Sequence, residues 1–163
     1  ALESFSAWHG TSLADLRGLG GAAELTFYST EIRSLDGLQP SAATELHLGH
    51  LTGQLVDAPA LKAMSALRTL TLPTTPGVLA DPARAGLQGL ARIEKLAAQG
   101  LSGSLSFLAG WSELRELDLQ KSGALTDLEA LLHLPKLETV RLRGAQLKRE
   151  AWPEALRSKL QYR

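Results

Sequence analysis

The pair of side chains best spaced for chemistry is His47-x-x-His50. Two imidazoles three residues apart are a ligand spacing, but a zinc site needs at least one more ligand close by. His9 and Glu24 are the available candidates, and neither is an immediate neighbour. The competing reading is two polar residues at a sheet edge and turn, so no metal is assigned. Gly18-Leu19-Gly20-Gly21 has the glycine content of a phosphate loop. It lacks a clear strand before it and a helix after it, and is expected to be a turn. No nucleophile elbow, metalloprotease helix or paired carboxylates appear. The chain is read as having no catalysis of its own and no cofactor. What remains is recognition chemistry: Trp8 and Tyr28 near one end, Arg141 and Arg143 near the other. Trp, Tyr and Arg are the side chains that most often carry interface energy.

Those residues are placed by a repeat. Leucine makes up about one residue in five of 163, and seven segments carry apolar residues at positions 1, 4 and 6. They start near residues 2, 22, 43, 67, 93, 114 and 137. The triplets include Ala22-Leu25-Phe27, Leu67-Leu70-Leu72 and Leu114-Leu117-Leu119. Positions 4 and 6 alternate with positions 3, 5 and 7, the period of a strand with one buried face. A repeat of about 20–29 residues stacks each short strand on the last as a parallel sheet. The return legs show apolar residues three apart, as in Leu13-Leu16-Leu19, Ile32-Leu35-Leu38 and Leu125-Leu128-Leu131. That spacing predicts short helical turns packed on the sheet. Trp111 falls on such a leg and is expected in the core. Residues 149–161 read as an amphipathic helix with Trp152, Leu156 and Leu160 on one face, capping the last repeat.

The pattern resembles the leucine-rich-repeat family in its short bacterial or internalin-like forms. The nearest stretches are LRELDLQKSGALTDLEALLHLPKLETVRL (114–142) and AELTFYSTEIRSLDGLQ (23–39). The resemblance implies an α/β solenoid: a curved parallel sheet on the concave face, short helical or irregular returns, and a C-terminal capping helix. One domain is expected over 1–163, with the cap at 149–163. The family's asparagine at position 9 is missing, and the sequence contains no asparagine. That column reads Gly10, Thr30, Leu51, Thr75, Leu101, Ser122 and Ala145. Thr and Ser are expected to replace the amide in part by bonding to backbone. Leu51 and Leu101 cannot, and the glycines after them, Gly53 and Gly103, suggest another backbone path.

Stacking aligns the solvent-facing positions into columns. Position 5 runs Ser6, Thr26, His47, Thr71, Ala97, Asp118, Arg141, and position 7 runs Trp8, Tyr28, Gly49, Pro73, Gln99, Gln120, Arg143. Position 8 runs His9, Ser29, His50, Thr74, Gly100, Lys121, Gly144. The predicted partner-binding set is Trp8, Tyr28, His47, His50, Gln99, Asp118, Gln120, Arg141 and Arg143. Against it stand two plainer readings: Trp8 shields an open first repeat, and Arg141 pairs with Asp118 as solvated surface charge.

Net charge is zero, from 17 basic and 17 acidic residues, which argues against nucleic acid as the partner. No apolar run is long enough for a membrane span, so no membrane insertion is expected. There is no cysteine and no basic-then-apolar leader, and a cytoplasmic location is the expectation. The start on Ala1 suggests a fragment of a longer protein. The expected function is a protein-interaction module. Alternatives are a substrate-recruiting region of a larger bacterial enzyme or effector, or an immunity or sensor protein. Oligomeric state is left open.

Overall fold

The computed structural model describes residues 3–8, 16–32, 35, 37–38, 41–51, 60–72, 87, 90–145 and 147–162. Eight parallel strands form one sheet: β1 (Ser4–Trp8), β2 (Glu24–Tyr28), β3 (Glu45–Gly49), β4 (Thr69–Leu72), β5 (Lys95–Ala98), β7 (Glu116–Asp118), β9 (Thr139–Arg141) and β10 (Leu160–Gln161). They lie side by side in chain order. The register never slips: Ser4, Glu24, Glu45, Thr69, Lys95, Glu116 and Thr139 are successive partners. A second, two-stranded sheet pairs β6 (Gly103–Ser104) with β8 (Leu125–Thr126) on the return legs.

The burial of positions 4 and 6 sets this register. Leu25, Phe27, Leu46, Leu48, Leu70 and Val140 are fully buried. Slipping a strand by one residue would turn these side chains to water, at about 1.5–3 kcal/mol for each large one. Phe5 packs on Phe27, ring centroids 5.9 Å apart. The backbone reinforces the stack at each joint from β1 to β9. The N–H groups of positions 2 and 3 both donate to one carbonyl of the preceding repeat, as Thr44 and Glu45 do to Ala23 and Arg115 and Glu116 to Glu94.

On the Leu125-Leu128-Leu131 leg the three-residue spacing becomes 3-10 structure, whose three residues per turn put every third side chain on one side. Ser106–Leu108 and Leu128–His133 are such turns and bury Phe107, Leu108, Leu128 and Leu131. A short helix, α1 (Ala60–Ala63), serves the leg before β4. Trp111 is buried as expected, and its Nε1 donates to the Leu87 carbonyl at 3.2 Å. Gly18–Gly21 is a turn: Leu19 N–H bonds Leu16 O at 3.1 Å, and Ala22 N–H bonds Leu19 O at 3.0 Å.

The C-terminal segment differs from the single helix expected. It forms two 3-10 turns, Arg149–Ala151 and Glu154–Lys159, and then β10. Pro153 divides them. A residue before proline is pushed toward extended backbone, and Trp152 sits at ψ 144°. The segment still covers the last repeat, through buried Trp152 and Leu156. It also adds an eighth strand to the seven expected: Leu160 is in register with Val140 and Gln161 with Arg141.

The turns that leave the strands also correct an expectation. Thr30 and Ser122 are completely buried, but their hydroxyls have no hydrogen-bond partner among the described residues. They do not stand in for an asparagine amide. The backbone does that work instead. Every described residue at position 8 is left-handed: Ser29 (φ 54°), His50 (φ 42°), Gly100 (φ 72°), Lys121 (φ 55°) and Gly144 (φ 67°). From this conformation the N–H of Ser29 reaches Gly49 O, Gly100 reaches Gln120 O and Lys121 reaches Arg143 O, at 2.8–3.0 Å. Leu51 and Leu101 then fill the core, and Gly103 (φ 93°) opens β6. Leu2, His9, Gly10, Leu13, Gly53, Pro73, Thr74 and Thr75 lie outside the described residues.

Candidate binding face of the sheet

All nine predicted site residues are described, and they fall into two groups. The first spans β1–β3. Ala7 is buried and Trp8 is 55% exposed, so Trp8 stands on the solvent side of its strand. Its ring contacts Tyr28, centroids 5.3 Å apart, and Tyr28 meets His50 edge-on at 5.3 Å. The row exists because position 7 of β3 is glycine. A Cβ on Gly49 would lie 2.5 Å from Cδ2 of Tyr28, so a side chain there would lift the ring off the sheet. Beside the row is a shallow hollow of about 240 Å³, bordered by Tyr28, His47, Gly49, His50, Thr71 and Gln99 among others. Gln99 joins this group from β5's exit turn.

His47 and His50 do not converge. His47 Nδ1 is 3.0 Å from Thr71 Oγ1, and its Nε2 is 3.3 Å from Glu45 Oε2. His50 turns to the aromatic row. Among the described residues, no group of three or more His, Cys, Asp or Glu side chains is placed to hold a metal ion.

The second group spans β7 and β9. Asp118 and Arg141 are strand partners, yet they do not form the pair expected. Arg141 binds Glu116 at 3.0 Å, and Lys95 binds the other oxygen of Glu116 at 3.0 Å. Asp118 instead accepts the backbone N–H and side-chain amide of Gln120, at 3.1 and 3.0 Å. The Lys95 hydrogen bond, with added attraction from Arg141, holds the Glu116 carboxyl below the usual carboxylate range despite partial desolvation. Arg143 and Lys121 are exposed, and their side chains make no ion pair among the described residues.

Charged residues on this face, Glu24, Glu45 and Lys95, were missed as binding residues by tracking only positions 5, 7 and 8. Position 3 shares the face by the period of two, and it places Glu24 and Glu45 side by side. That column was the available signal.

Stacked parallel strands, one per repeat, with 3-10 turns on two described return legs and a left-handed residue at every described position 8, define a leucine-rich-repeat solenoid. No family model matches the chain, and no curated protein matches its sequence. Among solved structures, the crystal structure of internalin C2 from Listeria monocytogenes is similar, with a TM-score of 0.63 and 23% identity. The match covers 96% of this chain and 77% of that one. The chain thus has the internalin-like leucine-rich-repeat fold.

Proposed function

We propose that this chain is a protein-interaction module that binds its partner on the solvent face of the eight-stranded sheet and catalyses nothing itself. The observation that carries the reading is the row Trp8, Tyr28 and His50. A tryptophan more than half exposed packs at a tilt against a tyrosine outside the core, where its burial by a partner would release water from a large apolar surface. The adjoining hollow supplies a concave seat. Tyr28, His47, His50 and Gln99 border that seat, while Asp118, Gln120, Arg141 and Arg143 form a polar margin that begins one strand beyond Gln99 and is centred about 19 Å, four strand spacings, from β2–β3. The same face would serve a recruiting region of a larger enzyme or effector, or an immunity or sensor protein.

The test is partner capture by purified variants. Trp8→Ala and Tyr28→Ala should each weaken binding by about 2 kcal/mol, the scale of an aromatic hot spot, and Arg143→Glu by less. Unchanged capture by all three would overturn the assignment of this face.

A further inference from the structure

The sheet's solvent face carries a charge polarity that the described side chains do not cancel. At position 3, Glu116 lies between Lys95 and Arg141, 3.0 Å from each. In the same column, Glu24 and Glu45 are direct strand neighbours, about 4.8 Å apart in the ladder. Like charges so placed oppose the pairing. Glu45 contacts His47, and among the described residues the Glu24 carboxylate accepts only from the Thr26 hydroxyl, at 3.5 Å. No Lys or Arg is within ion-pair distance of either among the described residues. The strand between the halves, β4, presents Thr69 and Thr71. Beyond it, Lys95, Lys121, Arg141 and Arg143 outnumber Glu116 and Asp118 by two charges.

We propose that the partner is a protein surface of the opposite polarity. Its cationic side chains, arginine above all, lie over β2–β3, and its acidic side chains lie over β7–β9, about 19 Å further on. This rests on the sheet face being the docking surface. Arginine fits the first end for two independent reasons: a guanidinium stacks on aromatic rings such as Tyr28 and Trp8, and its fork pairs with carboxylates. Lys121 and Arg143 offer the second end two cations that make no ion pair among the described residues. At physiological salt, charges are screened beyond about 8 Å, so each end reads its own part of the partner. A uniformly charged ligand therefore gains at one end and loses at the other. That distinguishes a dipolar protein segment from a polyanion such as a nucleic acid.

The experiment uses the full chain and three labelled peptides in fluorescence anisotropy. One carries an Arg-Arg block and a Glu-Glu block separated by about six uncharged residues, roughly 20 Å when extended. The others carry Arg-Arg or Glu-Glu at both ends. The mixed peptide should bind about tenfold tighter than either uniform one. The double variant Glu24→Lys, Glu45→Lys should shift preference to the all-Glu peptide, and Lys121→Glu, Arg143→Glu to the all-Arg peptide. Thermal melts of both variants would verify that they fold. Equal binding of the three peptides, tightest binding of the all-Glu peptide by the unaltered chain, or no binding of any would overturn the charge assignment. The docking face itself would still stand or fall on the Trp8→Ala and Tyr28→Ala captures.

Discussion

The two ends of the sheet are built on the same register and differ in what their solvent-facing side chains do. Around β5, β7 and β9 the charges answer one another. Arg115 pairs with Glu138 at 2.7 Å, Lys136 with Glu113 at 2.6 Å, and Glu116 with both Lys95 and Arg141. Around β1–β3 the rings touch in a row, tilted and then edge-on, and Glu24 and Glu45 stand together without a Lys or Arg in ion-pair distance among the described residues. The repeat fixes positions 1, 4 and 6 through burial and leaves positions 3, 5, 7 and 8 to solvent. At one end Glu116 is answered within the sheet face by Lys95 and Arg141, while Lys121 and Arg143 make no ion pair among the described residues; at the other, Glu24 and Glu45 meet no Lys or Arg among the described residues.

Core truncation tests whether both ends depend on the same packing. Phe27→Ala should cost about 3–5 kcal/mol and Leu117→Ala about 2–5 kcal/mol, read from urea midpoints. A near-unchanged midpoint for one of them would mean that its end is not held by the common core. Thr30→Val and Ser122→Ala remove buried hydroxyls that have no partner among the described residues. Each should leave stability unchanged or raise it by about 1 kcal/mol, and a clear loss at either would show a hidden partner.

Glu116→Gln and Glu45→Gln probe the position-3 column directly. The first should cost up to about 1 kcal/mol, because the pairs it breaks are partly exposed. The second should cost nothing or gain a few tenths by relieving the Glu24 repulsion. Shifts of the same sign and size would erase the distinction between the ends. The smallest effect is the acid dependence. Glu116 titrates lower in the fold than in the unfolded chain, chiefly through the Lys95 hydrogen bond. Its contribution is therefore present above the ordinary glutamate pKa, about 4.3, and is lost as pH falls through the folded value. Glu113 behaves likewise through its Lys136 hydrogen bond. Melts between about pH 6 and pH 3 should slope less steeply for Glu116→Gln than for the unaltered chain.

The repeating core was legible because burial imposes a period that leucine reports. The register of β2 through β9 follows from apolar residues at positions 4 and 6. β10 was hidden, since Leu160 and Tyr162 continue that alternation for only one step and Arg157 stands at position 1. The cap was misread because Trp152 and Leu156 have helical spacing, while Pro153 forces extended backbone between them. The aromatic row was readable as composition but not as contact, because it depends on the absence of a side chain at Gly49. The Arg141 partner was misjudged because a long side chain reaches diagonally to Glu116 rather than straight across to Asp118.

The left-handed column after the strands has a further consequence. Ser29, His50 and Lys121 share no chemistry, yet their backbones adopt the same conformation and Ser29 and Lys121 make the same bond to the next repeat. What the turn selects is handedness. A D-amino acid, for which this region is the relaxed one, should fit at residues 29, 50 and 121 with less strain than the natural L residue. A semisynthetic chain could thus carry non-natural groups at the margin of the binding face while its ladder of backbone bonds stays intact.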